Sequence, residues 1–138
     1  MAANTSPIFT LVPDIQWAPA VLAAANTAKD GTGTVATVFT AGATNGGFVA
    51  KLVARPAGTN VATVLRVFIN NGATNATPAN NILIAEMTLP AITLSEVAAQ
   101  PAYELPLSFA LPAGYKINCV LGTAVAAGYC LSVIGGKY

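Results

Sequence analysis

One ten-residue stretch alternates apolar side chains with small or polar ones without a break: Ala102-Tyr103-Glu104-Leu105-Pro106-Leu107-Ser108-Phe109-Ala110-Leu111. Successive side chains of a β-strand point to opposite faces, so the large apolar residues of this stretch share one face. The pattern therefore predicts a strand with one face in a core. Pro106 has no N–H to donate to a neighbouring strand, so we expect an edge strand or a bulge at this position.

Short apolar runs punctuated by Gly, Pro and Asn fill the rest of the chain, which is typical of strands and turns. Further strands are predicted at Thr34–Thr40, Phe48–Arg55, Val61–Asn70, Ile82–Leu89, Tyr115–Leu121 and Tyr129–Ile134, with a weaker one within Phe9–Ala24. This spacing is typical of a sandwich, a jelly roll or a small barrel. We expect an all-β protein, an antiparallel β-sandwich with about eight strands in a jelly roll. It would form one domain over residues 1–138, with 1–13 as a possible N-terminal arm.

Two of the predicted strands are apolar on both faces. In Val61–Asn70, Leu65 and Val67 lie on one face, and Val64 and Phe68 lie on the other. Ile82–Leu89 behaves similarly, with a single charge. Because large exposed apolar patches are rare on soluble monomers, we expect both faces to be covered, the outer one by a neighbouring subunit.

The composition points the same way. Charged residues make up 8% and hydrophobic residues 54% of the 138 residues, against about 25% and 45–50% in ordinary soluble domains. We therefore expect an oligomer or a large assembly, in which neighbouring subunits cover much of the surface.

The net charge of +1 and the absence of any Lys or Arg run disfavour nucleic-acid binding. The uncharged stretch from Ile117 to Gly136 is interrupted by glycines and a turn-like segment, which favours two strands over a transmembrane helix. Met1–Pro7 lacks the basic and apolar regions of a secretory signal, so we expect folding in the cytoplasm of the cell that makes the protein.

Residues for catalysis are scarce. The chain has no histidine, which removes the commonest general base and metal ligand. Glu86 and Glu104 could in principle form a glycosidase pair, but neutralising a nearby cation is the simpler role. We predict no enzyme activity, no cofactor and no metal.

The two cysteines lie on either side of the Gly122–Gly128 turn, at Cys119 and Cys130. A symmetric hairpin would place them opposite each other, and we expect buried free thiols that behave as small hydrophobic residues.

Candidate contact residues are those whose side chains suit a subunit interface: a lone Trp, strand charges, an outward Phe and amides of the longest polar loop, Asn70–Asn81. They are Trp17, Lys51, Arg55, Arg66, Phe68, Glu86, Asn71 and Asn75.

Several stretches resemble small virion structural proteins of tailed bacteriophages. They are Thr27–Gly33, which leads into a Val/Thr strand, Gly58–Gly72, Glu104–Leu107, and Leu111–Tyr115 before the closing Gly-rich strand. The resemblance implies a jelly-roll-like decoration or cement protein on the outer surface of the phage capsid. It further implies a homo-oligomer, as a trimer, that binds the major capsid protein and stabilises the head. The alternative is a tail or head-fibre component, or a receptor-binding module for carbohydrate.

Overall fold

A computed structural model describes residues 10–138, and these residues form eight strands and one short 3-10 helix at Pro78–Asn80. The strands are β1 (Val12–Trp17), β2 (Ala36–Thr40), β3 (Gly47–Pro56), β4 (Thr63–Asn70), β5 (Asn81–Leu89), β6 (Tyr103–Leu111), β7 (Lys116–Leu121) and β8 (Tyr129–Lys137).

The strands form two four-stranded sheets in which every pairing is antiparallel. The first sheet has the order β1-β8-β3-β6 and the second the order β2-β7-β4-β5. Only β4 and β5 are both consecutive in the chain and paired; every other connection crosses between the sheets. This is the strand order of a jelly roll. The predicted all-β sandwich is confirmed.

The stretch that predicted the fold is β6, at an edge of the first sheet. Its large apolar residues face the core, whereas Glu104, Pro106 and Ser108 are exposed. The pairing with β3 shifts register between Val49 and Lys51. Ser108, with φ of 55°, is the only non-glycine residue with positive φ in the described part of the chain. Both an edge strand and a bulge are therefore present where Pro106 predicted one or the other.

The core lies between the two sheets. Its largest fully buried side chains come from both sheets and include Phe39, Leu52, Leu65, Ile117 and Tyr129. The inward residues of β6 pack against this cluster as partly buried side chains, because β6 lies at the edge.

The two strands that flank the Gly122–Gly128 turn do not form a hairpin that would place the cysteines opposite each other. β7 belongs to the second sheet and β8 to the first, so the intervening turn carries the chain across the sandwich. Cys119 is buried in the core, and Cys130 is exposed on the outer face of the first sheet. Both thiols are free, but only Cys119 is buried as expected.

The outer face of β4 is covered by this chain itself. Phe68 is fully buried although it lies outside the main core cluster. The segment 26–34 is bonded to β7 through Asn26 N–H and Leu121 O, 2.8 Å apart. It also meets β5 through Asn81 Nδ2 and Asp30 O, 3.2 Å apart. Because β4 lies between β7 and β5, this segment crosses β4, and Phe68 needs no neighbouring subunit to cover it.

Part of the expected N-terminal arm also differs. Residues 1–9 lie outside the described residues, but Leu11 N–H already donates to Lys137 O at 2.8 Å, and Val12 and Pro13 belong to β1. Any arm would therefore end before Leu11. The remaining residues of the chain form the one sandwich.

Candidate interaction surface

The charged side chains of the described residues are dispersed. Three ion pairs join neighbouring strands: Lys51 with Glu104 at 3.0 Å, Arg66 with Glu86 at 2.7 Å, and Lys137 with Asp14 at 3.7 Å. Within residues 10–138, no three Cys, Asp or Glu side chains are grouped so that they could hold a metal ion. In the same part of the chain, no helix is both long and apolar enough to cross a membrane.

An apolar row runs along β1, the edge strand of the first sheet. Alternate residues of this segment point outward, and the large ones are strongly exposed: Leu11 is 70%, Ile15 57% and Trp17 68% exposed. The strand register places Ile15 beside Ile134 and Trp17 beside Ser132 on β8. The row thus continues onto the outer face of the sheet.

The same face carries three of the predicted contact residues. On β3, Val53 pairs with Ser132, Lys51 with Ile134 and Arg55 with Cys130. Trp17, Lys51 and Arg55 are thereby brought onto one surface, as apolar residues bordered by two cations. The Lys51–Glu104 ion pair marks the far side of the surface.

After β1 the chain leaves the sheet and forms a ridge, residues 18–24. Ala18 N–H donates to Leu131 O at 3.0 Å, and Pro19 has no N–H to continue the pairing. The segment rejoins β8 where Leu22 and Tyr129 exchange backbone hydrogen bonds of 3.0 and 2.9 Å. Between these points, Pro19, Ala20 and Val21 project into solvent.

Two apolar hollows lie on either side of this ridge. The first, which we call the Trp17 groove, is about 260 Å³ and is lined by Trp17–Val21, Arg55 and Cys130–Ser132. The second, which we call the alanine cleft, is about 580 Å³ and is lined by residues 18–24 and 34–37. Neither a carboxylate nor a cation lines the alanine cleft, so it can bind only apolar or uncharged groups well.

Gln16 closes the side of the sandwich beneath this surface. Its Nε2 donates to Thr40 O at 2.9 Å, and its Oε1 accepts from Thr40 N–H at 2.9 Å. Thr40 lies on β2, the edge strand of the second sheet, so one side chain satisfies two edge backbone groups and joins the sheets. This contact holds β1 in place and with it the exposed row.

The other predicted contact residues lie elsewhere. Arg66 and Glu86 form an ion pair on the second sheet, and Phe68 offers no surface to a partner because it is fully buried. The two asparagines belong to the 70–81 loop, which packs against segment 26–34.

The amides of that loop are hydrogen-bonded within the chain. Asn75 Nδ2 donates to the carbonyl oxygens of Gly31 and Gly33, at 3.1 and 2.8 Å. Asn71 Nδ2 donates to Asn80 Oδ1 at 3.2 Å. Asn26 Nδ2 donates to the carbonyl oxygens of Thr32 and Thr34, at 2.9 and 2.8 Å. The Asn-rich composition therefore has a structural role here, the fastening of segment 26–34.

Sequence reasoning missed Leu11, Ile15, Val21 and Cys130 as parts of the surface. The alternation of Leu11, Pro13, Ile15 and Trp17 was present in the sequence. The alternation does not by itself show which face of this short strand packs against the core, because the inward face is not more apolar than the exposed one.

Two titratable groups are buried away from this surface. Burial raises the pKa of the Cys119 thiol and that of the Tyr129 phenol, the latter with a smaller contribution from Tyr103. The Tyr129 hydroxyl has no hydrogen-bond partner among the described residues. Asn60 lies nearby, but its Oδ1 already accepts from the N–H groups of Ala127 and Gly128, each at 2.9 Å.

Comparison of the chain with protein-family models, curated proteins and solved structures found no significant match. The geometry of the apolar surface is therefore the main basis for a functional proposal.

Proposed function

We propose that this chain is a virion structural protein, a decoration or cement protein that binds the outside of a phage head and stabilises it. The observation that carries the proposal is the exposed apolar surface formed by β1, the ridge and their hollows. Partners of this kind need contact area rather than reactive groups. The proposed partners are other copies of the chain, as a trimer, and the major capsid protein, at the outer capsid surface after synthesis in the host cytoplasm.

The size of the surface supports this role. An aromatic side chain can bury about 150–250 Å², so Trp17, which is 68% exposed, alone presents about 100–170 Å², and three exposed aliphatic side chains lie with it on this surface. The four are Leu11, Ile15, Trp17 and Val21. The largest patch on a typical monomer is about 300–600 Å² and is often functional. Together with the hollows beside them, these side chains form a patch of the kind that is often functional.

The fold adds support of a weaker kind. Jelly rolls are common among viral capsid proteins, but they also occur in lectins and other binding proteins. One fold hosts many functions, so the exposed surface and the stretches that resemble phage virion proteins support the proposed role more than the fold does.

The test is the heat stability of particles made with and without this chain. Heads that lack it should expose their DNA to a fluorescent dye at a lower temperature, and addition of the purified chain should restore the original midpoint. Trp17→Ser should fail to restore it. Val97→Asp should restore it, because Val97 is 98% exposed in the connection that leads to β6, at the opposite edge of the first sheet. If particles lacking the chain are equally stable, cementing is wrong.

A second candidate is a carbohydrate-binding module of a tail or fibre. It is favoured by Trp17, an exposed aromatic platform that shares a groove with the cation of Arg55. Trp17 is the single tryptophan, so its fluorescence would report a bound sugar directly. Quenching by a glycan, lost in Arg55→Ala, would favour this candidate, and a glycan array without hits would remove it.

A further inference from the structure

We infer that a second copy of this chain covers the apolar surface, with Trp17 of one copy seated in the alanine cleft of the other. The inference rests on the proposal that the chain is an assembly subunit, but not on which particle it serves. It names the residues of the contact, which the proposed function leaves open.

The alanine cleft is large enough to hold an indole ring. Its volume is about 580 Å³, within the range of about 300–1,000 Å³ of cavities that enclose whole small ligands. One indole ring is smaller than such ligands. The residues that line the cleft are mostly small and apolar, Ala18, Ala20, Ala23 and Ala24 among them. A flat aromatic side chain can therefore approach the backbone closely.

Trp17 and the alanine cleft lie next to each other on the surface, since Ala18 directly follows Trp17 and lines both hollows. When a protrusion and a matching cavity lie side by side on one surface, rotation of a second copy about a nearby axis places each protrusion in the other copy's cavity. A twofold axis would bury both Trp17 side chains in one contact, whereas a threefold axis would bury one Trp17 in each of three contacts, and either closes the assembly.

The surface carries little charge. Identical surfaces that carry a strong charge repel each other, but here the cleft lining is uncharged and Arg55 is the only charged residue that lines the Trp17 groove. The nearby Asp14 and Lys137 form an ion pair at 3.7 Å. A membrane surface or a nucleic acid would instead be recognised by several cations. The neutral surface is suited to an identical neutral surface.

The exposed surface must also be large enough for a stable contact between two copies. A stable interface typically buries about 800 Å² on each partner. Trp17 supplies about 100–170 Å² of this, and Leu11, Ile15 and Val21 with the polar margin of Lys51, Arg55 and Ser132 would supply the rest. Exposed tryptophans near the centre of such a contact are the residues on which affinity most often depends.

The experiment measures the mass of the purified full chain by sedimentation, together with the Trp17 emission maximum, over a dilution series. We expect an oligomer of two or three copies whose Trp17 emission shifts to longer wavelength on dilution, as the indole returns to water. Ala24→Arg blocks the cleft and leaves the tryptophan in place. It should raise the dissociation constant at least about tenfold and keep the emission at long wavelength.

Trp17→Ser should weaken association by a similar factor, whereas Val97→Asp should associate as the unaltered chain does. Circular dichroism checks that each variant is folded. A chain that stays monomeric at all concentrations, or an oligomer unaffected by Ala24→Arg and Trp17→Ser, would overturn the inference.

The outcomes separate this inference from the proposed function. A monomer that still binds and stabilises phage heads would contradict self-association and leave the cement role standing, with the capsid covering Trp17. An oligomer held by Trp17 that has no effect on particle stability would support the inference and contradict the cement role.

Discussion

At the residue scale, one buried amide joins three connections of the sandwich. Asn60 Nδ2 donates to Gly128 O at 2.9 Å, and its Oδ1 accepts two backbone N–H groups of the β7–β8 connection. Its backbone exchanges hydrogen bonds of 3.0 and 2.9 Å with Ile92, between β5 and β6. These bonds fix the end of the sandwich where β8 begins beside the ridge.

Asn60→Ala would leave the N–H groups of Ala127 and Gly128 without their partner and take one of two donors from Gly128 O, so we expect a loss of about 3 kcal/mol in the free energy of unfolding. Chemical denaturation measures the loss. Asn71→Ala is the matched control, because Asn71 is exposed and should change stability by less than about 1 kcal/mol. Equal effects of the two substitutions would contradict this assignment.

Cys119 gives the fold a dependence on alkaline pH. Burial raises the pKa of its thiol in the folded chain, whereas in the unfolded chain it ionises near its usual pKa of about 8.5. Above about pH 8.5 the unfolded chain loses a proton that the folded chain keeps, so stability falls by about 1.4 kcal/mol per pH unit.

Denaturation of the unaltered chain and of Cys119→Ala between about pH 8.5 and 10 measures this slope. The variant will be less stable throughout, because the substitution leaves a small cavity. Its free energy of unfolding should fall less steeply with pH, by the slope that corresponds to one proton per molecule. Parallel slopes for the two proteins would show that the thiol does not cause the decline.

At the scale of the element, the edges of the sheets are treated differently. β6 carries Pro106 and a bulge, which prevent pairing with another strand. On the opposite edge, β1 has Pro13 only near its start and exposes Ile15 and Trp17. The contrast favours β1 as the edge of the proposed contact.

Gln16→Ala removes both hydrogen bonds between Gln16 and Thr40, and with them the link from β1 to the second sheet. We expect a loss of about 1–2 kcal/mol in unfolding free energy. Faster hydrogen exchange should be confined to β1 and β2. Gln100→Ala, which loses a single part-buried hydrogen bond to Gly58 O, is the control. Uniform exchange changes across all strands would argue against this local role.

The sequence predicted the strands well because each is bounded by Gly, Pro or Asn and because β6 alternates along its whole length. It did not predict that Phe68 is covered from within, since that depends on hydrogen bonds between residues 42–51 apart in the chain, such as Asn75 with Gly31 and Asn81 with Asp30. Nor did it predict the exposure of Cys130, which follows from the crossing between sheets. The alternation within one strand can be recognised in the sequence, whereas the covering of Phe68 and the exposure of Cys130 depend on the order of the strands in the sheets.

At the scale of the whole molecule, the apolar surface is asymmetric. The outer face of the second sheet is partly covered by segment 26–34 and carries the Arg66–Glu86 ion pair. The first sheet leaves Trp17 and its neighbours open to solvent. Leu11, Ile15, Trp17 and Val21 group on one side, whereas Val61, Ile82, Leu94 and Val97 are exposed elsewhere in the described part of the chain. The proposed assembly role would explain why the Trp17 side is left open.

The most direct test is the rate at which Cys130 reacts with iodoacetamide in the native assembly, compared with the diluted free chain. Cys130 lines the Trp17 groove, so any partner that covers the surface must shield it, and the buried Cys119 serves as the internal control for unfolding. The account predicts that Cys130 reacts at least about tenfold more slowly in the assembly, as expected for a thiol inside a well-packed contact. Equal rates in the two states, with Cys119 unreacted in both, would contradict it.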